Sequence, residues 1–145
     1  MKTTKMMKLP SLILSMLGLC LIAPFAAADE TPLEEEMSTI SSAYKQLGRQ
    51  ARREKYDFDR LTTLFTEAKE ACDKSIELVP AKIAKMTGAE KEKALEGYKK
   101  GMMAVGKAID GVLASCKAKD DTNLKATYEK MKEMKSSGHE EYIED

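Results

Sequence analysis

Between residues 31 and 145 the chain alternates apolar and polar positions with a helical period. In "TPLEEEMSTISSAYKQLGRQARRE", Leu33, Met37, Ile40, Tyr44, Leu47 and Ala51 recur at spacings of four and three, which puts them on one stripe. Thr31 is the expected N-cap, Pro32 takes the first helical position and Glu34 completes a capping box. A second stripe runs through Leu61, Phe65, Ala68, Cys72, Ile76 and Val79, and Pro80 is expected to stop it. The linker "AKIAKMTG" is short, so the next helix should return antiparallel. Thr87 and Glu90 predict a second capping box. Leu95, Tyr98, Met102, Val105, Ile109, Val112 and Cys116 carry the third stripe. After "KAKDDTN", with Asp121 or Thr122 as the cap, the fourth stripe holds Leu124, Tyr128, Met131, Lys135 and Tyr142. Four amphipathic helices with short connections predict an all-α fold, an antiparallel up-down-up-down four-helix bundle.

The first 28 residues follow a different pattern. Lys2, Lys5 and Lys8 precede the apolar run Ser11 to Ala23, which is shorter than a bilayer span. Small residues at Ala26 and Ala28 then suit cleavage before Asp29. The expectation is a cleaved signal peptide over 1–28 and one bundle domain over 29–145, exported to the periplasm. A lipid anchor on Cys20 is disfavoured, because Leu19 stands where a small residue is needed.

Composition supports the helical reading: Ala, Lys, Glu, Leu and Met dominate, and there is no tryptophan. Of the 24 basic residues, Lys2, Lys5 and Lys8 leave with the signal, so 21 remain against 24 acidic ones, a net charge of −3. No basic cluster points to nucleic acid, and no apolar run after residue 28 can anchor the chain in a membrane.

Chemistry-bearing residues are few. The single histidine, His139, sits about 20° around the last helix from Tyr128 and about 60° from Tyr142, which places it on the inward face. Its neighbour Gly138 either ends a frayed helix or leaves room for a bulky group. In the predicted topology the first and last helices are antiparallel neighbours. Met37 lies about 8 Å inside the start of one, and His139 lies about 9 Å from the end of the other. A thioether and an imidazole at one level can be axial ligands of a haem iron, or two core residues, since methionine fills irregular cores well. Geometry leaves both readings open.

One histidine and no Gly-rich phosphate loop leave no acid–base pair for catalysis, and the expectation is that this is not an enzyme. "EEE" at Glu34 to Glu36 reads as a solvated first turn that complements the helix dipole. "SSG" before His139 rules out the Glu-x-x-His pattern of di-iron bundles. The absence of Cys-x-x-Cys-His excludes covalent haem attachment of the usual kind. Cys72 and Cys116 are placed about 30 Å apart along the bundle, so they read as unbridged core residues, with Cys72 near the level of His139. Two further readings are a cofactor-free chaperone or scaffold, using methionines such as Met86, Met103 and Met134, and a copper binder using methionine sulfur with His139.

"LEEEMSTISSAYKQL" (33–47) resembles the first helix of the cytochrome b562 family. "VGKAIDGVLASCKAKDDTNLKATYEKMKEMKSSGH" (105–139) is similar to its third and fourth helices. The likeness spans the whole exported part and is looser through the second helix and after Pro80. It implies one non-covalent haem b per chain, with Met37 and His139 on the iron, and a monomeric one-electron carrier serving an unidentified redox partner protein. The family's aromatic pocket positions fall on Tyr98 and Met102, so one ring is replaced. Its basic position one turn before the histidine falls on Lys135, which can neutralise a propionate without the bidentate fork of arginine. Ile40 falls on the same pocket wall.

Overall fold

The computed structural model describes the backbone of residues 31–142 and side chains through Ser136. The expected signal peptide lies outside the described residues, as does the side chain of His139. The described residues form α1 (Pro32–Arg53), α2 (Phe58–Ile76), a single-turn α3 (Ala81–Ala84), α4 (Gly88–Ala118) and α5 (Asp121–Tyr142), with no strand. The four long helices make an all-helical bundle. α1 packs on α2, α2 on α4, α4 on α5, and α5, more sparsely, on α1. No described helix is long and apolar enough to cross a membrane.

α1 begins as its sequence predicts. The Thr31 amide donates to Glu34 Oε2 (2.6 Å), the Glu34 amide donates to Thr31 Oγ1 (3.3 Å), and Pro32 takes the first position. The α1–α2 turn closes through Glu54, in the left-handed region at φ 49°, and through buried Gln50, whose Oε1 accepts the Asp57 amide at 2.7 Å. The Asp57 carboxylate then caps α2 by accepting the Arg60 amide.

Several boundaries depart from the sequence pattern. α2 ends at Ile76, four residues before Pro80. Proline disfavours helical geometry in the residue before it, and Val79, expected on the core stripe, is 45% exposed. Thr87 is the N-cap residue of α4, but its side chain makes no capping bond, so the second capping box does not form. Gly88 enters with φ 61°, so the turn is made by backbone freedom instead. α5 is capped one residue earlier than expected: Asp120, not Asp121 or Thr122, accepts the Asn123 amide at 2.9 Å. Its helical backbone continues through Gly138 to Tyr142, so Gly138 does not end it.

The core joins all four long helices: Leu47, Leu61, Phe65, Ile109, Val112 and Leu124 are completely or almost completely buried. Ala43 is more deeply buried on α1 than Tyr44, which lies at the edge of the stripe and stacks on Tyr128. Met134 packs partly buried against the core, so of the three methionines considered for a sticky surface it is not free, whereas Met103 is 55% exposed.

Candidate functional site

Three of the expected pocket residues are buried in the bundle core. Tyr98 and Met102, one turn apart on α4, are each 5% exposed, and Ile40 on α1 is 8% exposed. All three belong to the same core cluster, and Met37 packs half-buried against it. The Tyr98 hydroxyl donates to the Ser75 carbonyl at 2.8 Å, which ties α4 to the last turn of α2. Burial pushes the Tyr98 phenol up to about 12, with a smaller contribution from Cys72.

Cys72 stands beside these residues, and its thiol donates to the Met102 carbonyl at 3.3 Å. A β-carbon added to Gly106 would meet the Cys72 sulfur at 3.6 Å, an ordinary contact, and the Lys69 ammonium more tightly at 3.3 Å. Burial, then the Asp73 charge, raises the Cys72 thiol to about 11, and it is neutral at physiological pH. Cys116, also buried and free, lies beside Thr62 of α2. Cys72 sits level with Met102, fourteen residues from Cys116 along α4, or roughly 21 Å of helix. The separation is shorter than the 30 Å expected, because residues 77–87 take up the first part of the return. It is still far beyond disulfide reach.

Lys135 is exposed, and its ammonium lies 5.3 Å from the centre of the Tyr44 ring. Tyr44 in turn stacks on Tyr128, with ring centres 5.4 Å apart. A β-carbon on Gly48 would meet the Tyr128 oxygen at 2.8 Å. The sequence pattern put Tyr44 and Tyr128 on inward stripes without pairing them. Gly48, one turn after Tyr44 in an otherwise strong helix, was the signal that a ring lies across the α1 backbone.

These side chains supply two soft thioethers, half-buried Met37 and buried Met102, together with Ile40 and Tyr98, and hydroxyl and thiol groups already bonded to backbone carbonyls. α1 and α5 are also the long neighbours that touch least among the described residues. Soft sulfur among apolar and aromatic side chains is a donor set that suits a haem. Among the described residues no three His, Cys, Asp or Glu side chains gather to hold a metal ion.

Comparison with curated proteins and with solved structures gave no match. Residues 32–142 match the protein family described as Cytochrome b562. The family consists of b-type haem electron carriers, typically periplasmic, and not of enzymes. With that match running from the first residue of α1 to the last residue of α5, the chain belongs to the cytochrome b562 family.

Proposed function

We propose that residues 29–145 act as a monomeric periplasmic cytochrome, exported by a signal peptide over 1–28. In this reading an antiparallel up-down-up-down bundle holds one non-covalent haem b between Met37 and His139. The observation that carries it is a register. Gly48 of α1 lies against Tyr128 of α5. Lys125 pairs with Glu54 at 3.2 Å, and Lys135 lies over Tyr44, so later residues of α5 meet earlier residues of α1. Met37 is eleven residues before Gly48, and His139 is eleven residues after Tyr128. Eleven residues is close to three helical turns, so each returns to the face on which Gly48 and Tyr128 meet. Continued along helices running in opposite directions, this register would bring Met37 and His139 level, which supports the reading.

When bound, haem supplies an iron couple that gains or loses one electron. The chain's residues set the conditions for it. His139 offers imidazole as the stronger anchor. Met37 offers a thioether, which favours ferrous over ferric iron and raises the potential. Held by both Met37 and His139, the iron would keep no place for oxygen, which suits electron transfer. Ile40, Tyr98 and Met102 exclude water, and Lys135, one turn before His139, supplies the cation for a propionate.

An absorption spectrum of the purified protein after haem addition tests the reading. A low-spin Soret band in the wild type, lost in His139→Ala, is expected. A colourless protein that binds copper stoichiometrically, or one that binds neither, would refute it. So would a His139→Ala variant with unchanged spectrum and affinity.

A further inference from the structure

α1 is electrically polarised. Glu34, Glu35 and Glu36 occupy its start, whereas Lys45, Arg49, Arg52 and Arg53 occupy its second half. The helix dipole accounts for Arg52 and Arg53 in the last turn. It does not account for Lys45 and Arg49, because its effect fades within that turn. Among the described residues, Lys45, Arg49 and Arg52 form no ion pair with a carboxylate. Arg49 is held instead against its own helix by Gln46, whose Oε1 accepts its Nε at 3.1 Å.

These three cations border a groove of about 240 Å³ between α1 and α5, completed by Tyr44, Gly48 and Tyr128. The groove exists because Gly48 lets the Tyr128 ring lie close on α1. Its lining includes the stacked tyrosine pair, and the Lys135 ammonium lies 5.3 Å from the centre of the Tyr44 ring. Glu129 lies near enough to act on the Tyr44 phenol, but it is paired with Lys132 at 3.7 Å. The result is a strip of Arg, Lys and Tyr, residue types that give interfaces rigid aromatic area and steer charged partners. It leads from the level of Lys135 to Arg52.

We propose that this groove is the docking surface for a redox partner protein that presents a carboxylate-rich face. The inference rests on the electron-carrier reading above and names the kind of partner that carrier meets. Residues 29–145 carry a net charge of −3, which would repel such a partner, so attraction must come from a local patch, and Lys45, Arg49 and Arg52 supply one. Carboxylates docked there would sit over Tyr44 and Tyr128, seven and eleven residues along their helices from Met37 and His139, or roughly 10 and 17 Å from the level of the proposed haem.

The test uses the haem-loaded, reduced protein mixed in stopped flow with an acidic plastocyanin in the cupric state, and separately with ferricyanide. One electron passes from ferrous haem to the copper or to the ferricyanide. The plastocyanin rate should fall as salt rises. At low salt it should fall on the order of tenfold in Lys45→Glu/Arg49→Glu/Arg52→Glu. The same charge change at Lys93, Lys107 and Lys117, on α4, should leave it near the wild-type rate. If the reversed variant loads haem poorly, the Gln triple at Lys45, Arg49 and Arg52 should show a smaller loss in the same direction. Equal slowing by the α1 and α4 triples, or by neither, would overturn the proposal while leaving the cytochrome reading intact. Slowing with ferricyanide alone would mean that the groove attracts small anions and not a protein face. A wild type that takes up no haem would sink both.

Discussion

Tyr128 of α5 lies so close to Gly48 of α1 that an added β-carbon would meet its phenol oxygen at 2.8 Å and two ring carbons at 3.1 Å. The ring has little room to retreat, because Tyr44 stacks on it. Gly48→Ala should therefore separate α1 from α5. Overpacking costs about 1–3 kcal/mol, and the better helix former returns about 1 kcal/mol. The net effect should be a lower urea midpoint. Gly101 on α4 faces open space, so Gly101→Ala should raise stability by about 0.5–1 kcal/mol, and the urea midpoint with it. If the two substitutions shift stability in the same direction, the close approach at Gly48 is wrong.

Met37→Ala should remove the weaker proposed ligand while His139 and the wall of Ile40, Tyr98 and Met102 still bind haem. The iron should turn high-spin, bind carbon monoxide when reduced and shift to a lower potential. Stability of the loaded protein should fall as well, since ligand binding to the native state adds to it. Met102→Ala is the control. If it opened the sixth position and Met37→Ala did not, the α1–α5 register would be wrong.

Alkaline stability should depend on Tyr98. Its phenol ionises near 10 when unfolded and near 12 when folded, because burial disfavours the anion. Below pH 10 both states hold the proton and the contribution is intact. Between about 10 and 12 the unfolded state loses the proton first, so stability falls as pH rises. Tyr98→Phe should flatten that limb of a plot of urea midpoint against pH. It should also lower stability at pH 7, by about 1 kcal/mol, through the lost bond to Ser75.

Cys72 and Cys116 should stay reduced and unreactive in the native protein. Both are buried, and burial raises both thiols above their ordinary value. At pH 8 a thiol reagent should label neither until urea unfolds the chain, and then both. A Cys72–Cys116 cross-linked peptide from the monomer in a non-reducing digest would contradict the packing of α2 on α4.

Much of this protein could be read from local pattern. The 3.6-residue period marks four helices, because each must bury one stripe. Thr31, Pro32 and Glu34 specify the start of α1, because a cap and its box are made by residues three apart. Met37 and His139 were identifiable as candidates, because the period of the pattern assigns a thioether and the only imidazole to inward stripes, one early in the first helix and one late in the last.

Tertiary structure decided what depends on neighbours distant in sequence. Val79 is apolar and in phase with its stripe, yet it lies outside the core, since the backbone beside Pro80 leaves the helix before the stripe ends. Cys72 meets Met102, thirty residues away, at a level set by how much chain the turn after α2 consumes. Lys135 is one turn from His139 in sequence, but it is the placement of α1 that puts Tyr44 beneath its ammonium. The basic groove likewise needs two helices, with Gly48 supplying the space and Tyr128 filling it. Periodicity says which side of a helix faces inward, and only packing says what it faces.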